Sequence, residues 1–140
     1  MKTNQYFLDS SYAIALVSSN DQHHKRAVDI SFKIENENAK LVTTRPILLE
    51  IGNSLARRSL RKFGLDTLHR MSADTNLAIV ELSSDLYDSA LKLFSDRMDK
   101  EWGLVDCVSF VVMQEHGIEA ALTTDRHFVQ AGFRALLRED

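Results

Sequence analysis

The chain has one cysteine, one proline and only five glycines in 140 residues. A lone thiol, Cys107, can close no internal disulfide and build no cysteine-rich zinc site, which fits a reducing compartment. Scarce proline and glycine leave little room for long loops, and no repeat, linker or low-complexity tract interrupts the sequence. No apolar run approaches the length that spans a bilayer. The apolar stretch after Met1-Lys2-Thr3-Asn4-Gln5 stops at Asp9, too soon for a secretory leader, so the sequence reads as cytoplasmic. A glycine-rich phosphate loop, an H-E-x-x-H pair and a G-x-S-x-G elbow are all missing. Excess positive charge is missing too. The net charge of −3 argues against broad, non-specific adhesion to nucleic acid without excluding a nuclease. The remainder is that of an ordinary soluble protein, 44% hydrophobic and 26% charged, with the length of one domain spanning 1–140.

Residues 5–9 read as a short buried strand. Ser10 or Ser11 then suits a helix N-terminus, with Ala13, Ile14, Leu16 and Val17 as the apolar stripe. After a break at Asn20-Asp21, His23 to about Asn36 reads as a helix burying Ala27, Ile30 or Phe32, and Ile34. Lys40 to Thr44 is a second strand. Pro46 fits the first turn of the next helix, which turns Ile47, Leu48, Ile51, Leu55 and Ala56 inward and stops at Gly64. Residues 65–74 suggest another short helix and 78–82 a third strand. Ser83 or Ser84 caps a helix running to about Met98, and 104–116 is a very apolar helix closed by Gly117. Residues 121–124 read as a fourth strand and 133–137 as a fifth. This alternation predicts an α/β fold: a central, mainly parallel sheet of four to five short strands with helices on both faces.

Four acids stand in apolar sequence. Asp9 closes Tyr6-Phe7-Leu8, Glu50 lies in Pro46-Ile47-Leu48-Leu49-Glu50-Ile51, Asp106 opens Leu104-Val105-Asp106-Cys107-Val108, and Asp125 follows Ala120-Ala121-Leu122-Thr123-Thr124. A lone carboxylate in such surroundings is costly unless paired, hydrogen-bonded or metal-bound. Ligands of parallel sheets bind outside the C-terminal ends of the strands. Asp9 and Asp125 would meet there, with Glu50 about a turn and a half into a helix and Asp106 beginning one. Helix N-termini at that edge suit phosphate. Each acid also has a plainer reading: Asp9 a helix cap, Glu50 a surface acid, Asp106 a charge favoured at a helix N-terminus, Asp125 a turn residue. A hard divalent cation takes oxygen ligands, and Mg2+ usually keeps several waters and one or two carboxylates. Four acids exceed that need, so Asp9 and Asp106 are read as direct ligands, Glu50 as ligand or base, and Asp125 as an outer or second-ion ligand.

Other residues invite weaker readings. Arg57, Arg58, Arg61 and Lys62, at helical spacing, spread over one side as an RNA-facing patch or a solvated helix face. His23 and His24 read as a solvated helix start. His127 borders the acids but is more readily a surface residue. Cys107 reads as a small buried side chain. Trp102 could stack a base, although packing of its loop is the plainer role, and Asp99 could add an acid at the rim.

The segments Phe7-Leu8-Asp9-Ser10-Ser11, Leu49-Glu50-Ile51-Gly52-Asn53, Leu104-Val105-Asp106-Cys107-Val108-Ser109-Phe110 and Leu122-Thr123-Thr124-Asp125-Arg126-His127-Phe128 occur in that order over essentially the whole chain. Together they resemble PIN domains, most closely the VapC-like ribonuclease toxins. The resemblance implies a parallel sheet flanked by helices and a Mg2+- or Mn2+-dependent endoribonuclease site. Its acids would be Asp9, Glu50, Asp106 and Asp125, with Ser10, Asn53, Ser109 and Thr124 as supporting polar positions. It also implies an RNA substrate, frequent homodimers and, in the toxin branch, a small antitoxin partner. Three readings compete. A catalytically silent PIN-like module binding RNA or protein has no need of all four acids. A phosphoacceptor receiver needs paired acids near the first strand and a late lysine. A nuclease of structured DNA uses large insertions absent from this length.

Overall fold

Strand β1 (Gln5–Leu8) forms the middle of a five-stranded parallel sheet in a computed structural model that describes residues 4–139. The other strands are β2 (Lys40–Thr44), β3 (Leu77–Val80), β4 (Ala120–Leu122) and β5 (Arg134–Ala135), in the order β3-β2-β1-β4-β5. The chain winds outward from β1 to β3, then returns on the other side of β1 with β4 and β5. The winding therefore reverses between β1 and β4, the junction where open α/β sheets leave a crevice for ligands. Leu8 pairs with Leu122 across this junction, and the Asp9 amide extends the ladder by donating to the Leu122 carbonyl at 3.2 Å.

The strands are short apolar runs because both faces are covered. Phe7, Val42, Ala121 and Leu122 are all buried. Helices α1 (Ser10–Val17), α2 (His24–Glu37), α3 (Arg45–Ser54) and α4 (Arg61–Ala73) precede β3, and α1 packs on α2 and α3 while α3 packs on α4. Helices α5 (Ser84–Asp96) and α6 (Leu104–His116) pack on each other, and the short α7 (Arg126–Gln130) leads to β5. The architecture is the expected α/β sandwich with a parallel sheet between helices. Among the described residues, no helix is long and apolar enough to cross a membrane.

Local chemistry explains most boundaries. Thr44 accepts from the Ile47 amide at 3.4 Å and Pro46 sits in the first turn of α3, while Ser83 accepts from the Leu86 amide at 3.1 Å to start α5. Gly117 (φ 66°) ends α6 in the left-handed region, and Asn38 (φ 52°) ends α2 the same way.

Several expectations are corrected. Gly64 lies inside α4 rather than at a helix stop. A Cβ there would stand 2.9 Å from the Leu55 Cβ, so glycine serves the close approach of α4 to the chain leaving α3. Because α3 ends at Ser54, Arg57 and Arg58 lie in the connecting turn and only Arg61 and Lys62 belong to a helix, so the four cations do not share one helical side. Ala56, half-buried, also lies beyond α3. The buried face of α1 is Tyr12, Ala13 and Ala15, while Ile14, Leu16 and Val17 are half-buried; Leu16 and Val17 line a groove against Thr67, Arg70 and Met71 of α4. Phe32 is 61% exposed and Ile30 is buried. His24 is not merely solvated: its Nδ1 lies 2.7 Å from the Ala15 carbonyl and ties α2 to α1. The last strand is only two residues long and gives way to a 3-10 turn, Leu136–Arg138.

Candidate metal centre

Asp9 is the first residue beyond β1 and occupies the N-cap position of α1, yet its side chain makes no capping bond. Its Oδ2 instead accepts from the Thr123 hydroxyl at 2.6 Å and the Ser11 hydroxyl at 3.1 Å. Asp9 is only 5% exposed. Burial pushes its carboxyl above the ordinary range, against the hydrogen bonds from Thr123, Ser11 and the Ser10 backbone, and the charge of Asp106 adds to the rise.

Thr123, fully buried just past β4, organises this junction. Besides donating to Asp9, its hydroxyl accepts from the Asp125 amide at 3.0 Å, and its carbonyl accepts from the Leu137 amide at 3.2 Å. The Ser11 hydroxyl accepts from the Thr124 amide at 3.0 Å. The ends of β1 and β4 are thus tied by side chains where the backbone ladder runs out.

Asp125 caps α7, its Oδ1 accepting from the His127 amide at 2.8 Å. Asp106 is the third residue of α6, and its Oδ2 accepts from the Gly103 amide at 3.2 Å, so it does serve the helix N-terminus as its plainer reading had it. The same Oδ2 lies 3.0 Å from the His127 Nδ1, which in turn lies 3.5 Å from Asp125 Oδ1. Burial raises the Asp106 carboxyl against the His127 hydrogen bond, and the Asp125 charge raises it further. Glu50, half-buried on α3, accepts from the Ser10 hydroxyl at 3.0 Å through Oε1. Burial raises its carboxyl too, opposed by Ser10 and reinforced by the charges of Asp9, Asp106 and Asp125. The four acids therefore share one local field, although they come from four separate elements.

Of the supporting positions, Ser10 reaches Glu50 directly, and Thr124 reaches the junction through its backbone amide. Ser109 is buried and donates to the Val105 carbonyl at 3.1 Å, so it serves its own helix. Asn53 is exposed, and no hydrogen bond of its side chain occurs among the described residues. Asp99 is held by Arg97 (3.0 and 3.1 Å) and Lys100 (3.7 Å) and does not join the acids. Trp102, 5% exposed, donates to Gln130 and carries the Arg97 guanidinium 4.9 Å over its ring, which fits packing and not base stacking. Cys107 is buried, and burial pushes its thiol up, as suits an inert core side chain.

His127 does border the acids, as its place two residues past Asp125 suggested, and the plainer surface role gives way to a side chain 23% exposed that faces Asp106 and Asp125. Thr123 and Ser11 were not singled out by sequence reasoning. The only signal for them was polar residues directly after apolar strands, at the edge where ligands bind.

The donor set suits a divalent cation. Each of the four carboxylates has one oxygen held by a side-chain or backbone donor, while its second oxygen takes no side-chain donor among the described residues. Among those residues, Asp106, Asp125 and His127 also place one ligand atom each within 4.8 Å of one another. Oxygen-rich donors of net negative charge are what Mg2+ and Mn2+ take.

Known proteins resemble the chain over nearly its whole length. The chain is 26% identical over 127 residues to the 23S rRNA-specific endonuclease VapC20 of Mycobacterium tuberculosis, covering 91% of this chain and 94% of that protein. The crystal structure of Mycobacterium tuberculosis VapC20, described as a Sarcin-Ricin loop cleaving toxin, superposes with a TM-score of 0.80 at 25% identity, covering 91% of this chain and 95% of the other. The PIN domain family model matches residues 6–134, nearly the whole described chain, and the chain belongs to the PIN domain family.

Proposed function

We propose that this protein is a metal-dependent endoribonuclease in which Asp9, Glu50, Asp106 and Asp125 hold the cation and serve the reacting phosphate, the remaining chain forming one domain around them. The observation that carries the reading is the convergence of the four acids beside the β1–β4 junction, each with an oxygen free of side-chain donors. Burial, with neighbouring carboxylates adding, raises Asp9, Glu50 and Asp106 together, a cost that a bound cation offsets. Mg2+ or Mn2+, when bound, supplies positive charge against the phosphate and makes water a better nucleophile. Asp9 and Asp106, each hydrogen-bonded through Oδ2, are held in place to offer carboxylate oxygens to the cation. Glu50, held by the Ser10 hydroxyl beside the other acids, would be placed to hold the cation or to take the proton of the attacking water as a P–O bond breaks. Purified protein should cut RNA with Mg2+ or Mn2+ and stop on chelation; cleavage that survives a chelator would overturn the reading.

RNA is the proposed substrate class because the relative matched over nine-tenths of the chain is named for cleaving 23S rRNA. Arg57, Arg58, Arg61 and Lys62 are all exposed on the α3–α4 turn and the start of α4, and are proposed to touch its backbone. Changing all four to alanine should weaken RNA binding and flatten the slope of log affinity against log salt by about 0.7 for each phosphate no longer neutralised. An unchanged salt slope would assign them to solvent alone.

The relative is also a toxin, so the chain is proposed to act in the cytoplasm as the toxin of a type II pair with an antitoxin protein. A small protein encoded directly upstream that blocks cleavage on mixing is the expected partner; lack of inhibition would count against the pairing. Homodimer formation is supported by α5, where Tyr87, Leu91, Phe94 and, just beyond the helix, Met98 are exposed at spacings that repeat along one side. Sedimentation equilibrium at micromolar concentration should give twice the chain mass, and a clean monomer would refute it.

A further inference from the structure

Among the described residues that could hold a cation together at the site, His127 offers a nitrogen and not an oxygen. The His127 Nδ1 lies 3.0 Å from Asp106 Oδ2 and 3.5 Å from Asp125 Oδ1. The ring is fixed from both sides of its place in the chain. Its own amide donates to Asp125 at 2.8 Å, and the next residue, Phe128, is fully buried with its ring centroid 5.0 Å from that of Phe110 and 6.1 Å from that of Phe7. An imidazole so held, with a nitrogen turned toward two carboxylates, differs from a solvated surface histidine.

Without an ion, the tautomer protonated at Nδ1 donates to Asp106. An octahedral cation with ligands at about 2.1 Å sets adjacent ligands about 3.0 Å apart. Nδ1 and Asp106 Oδ2 already stand at that separation. A cation bound to both would sit to one side of the line between them, so its entry asks only for a turn of the ring or of the carboxylate about its side-chain bonds. Mg2+ favours oxygen and gives up water reluctantly, whereas first-row transition ions accept imidazole nitrogen.

We propose that His127 ligates the cation at the Asp106–Asp125 end of the site and biases it toward first-row transition ions, Mn2+ among them, over Mg2+. The proposal rests on the reading of the acids as a cation site. It assigns His127 a contact that the carboxylates cannot make, and it predicts a nitrogen in the coordination sphere.

Pulsed EPR of chelator-stripped full-length protein loaded with Mn2+ reads that nitrogen directly. The wild type should show 14N modulation from a ligated imidazole, and His127→Gln should lose it. In calorimetric titrations the same substitution should weaken Mn2+ by roughly 10–100-fold and Mg2+ by less than about 3-fold, since an oxygen donor remains for the harder ion. Mn2+ bound without 14N modulation, or equal losses for both ions, overturns this proposal and leaves the nuclease reading standing. Failure of Mn2+ to bind the wild type overturns both. The wild-type spectrum decides the matter even if His127→Gln does not fold.

Discussion

Asp9→Asn is expected to lower RNA cleavage by about 10³-fold or more and, in the same protein, to raise the stability of the metal-free state. The first effect follows from removing a proposed ligand: loss of several kcal/mol of charge stabilisation corresponds to at least that factor. The second follows from the neighbours of Asp9. It is 5% exposed, and burial raises its carboxyl pKa above the value it has in the unfolded chain. The native state then binds the proton more tightly than the unfolded state. Its stability is favoured at low pH and falls as pH rises from the ordinary carboxylate value through the raised folded one. Above that window the full penalty of a buried, unneutralised charge is present. Glu50 and Asp106 are raised for the same first cause and act in the same direction.

Asparagine keeps the shape of Asp9, and its carbonyl oxygen can still accept from Thr123 and Ser11, but it carries no charge. Thermal melts in chelator should show the wild type losing stability from acid toward neutral pH, with Asp9→Asn losing less. At neutral pH the variant should melt about 2–6 °C higher, the range that relief of about 1 kcal/mol or slightly more gives at this size. Added Mn2+ should stabilise the wild type more than the variant, because binding to the native state alone raises its melting point. A variant that still cleaves, or that melts lower than wild type in chelator, would sink the assignment of Asp9.

The acids were legible in the sequence because charge in apolar surroundings is a local contradiction, visible without a fold. Asp9 and Asp125 could also be placed, since the C-terminal edge of a parallel sheet follows from strand order alone, and β1 and β4 do flank the reversal. Periodicity contained the choice between Ile30 and Phe32 as well: Ala27, Ile30 and Ile34 share one helical stripe and Phe32 does not. What stayed hidden depends on contacts between distant residues. Gly64 reads locally as a stop, while its use is the approach of Leu55. The basic run reads as helical until the end of α3 at Ser54 breaks its spacing. Thr123 reads as a residue with strand propensity, because its hydrogen-bond partner Asp9 lies at the other end of the chain. His127 can be set beside Asp125 from its spacing, but its contact with Asp106 shows only when α7 is laid against the start of α6.

Thr123→Val should move stability and activity the same way, and so separates a cation site from a structural knot. Valine matches threonine in shape but removes a hydroxyl with no exposed surface. Asp9 then loses its 2.6 Å donor and the Asp125 amide loses its acceptor. Stranding such buried groups costs about 1–3 kcal/mol each before relaxation, and a residue holding a ligand in place typically contributes 10–100-fold to metal affinity or activity. The variant should melt lower than wild type by about 3–10 °C, bind Mn2+ more weakly and cleave RNA about 10–100-fold more slowly, while Thr123→Ser, which keeps the hydroxyl, should stay near wild type in metal affinity and cleavage. Valine that leaves both within about twofold would show that Thr123 does not position Asp9. If the acids were only a hydrogen-bonded brace between β1 and β4, weakening the brace at either end would destabilise the protein, and Asp9→Asn would melt lower just as Thr123→Val does. A cation site demands the opposite signs: the asparagine relieves the cost of a buried charge, to which Asp106 adds and which a bound ion offsets, whereas the valine withdraws a donor that lowers that cost.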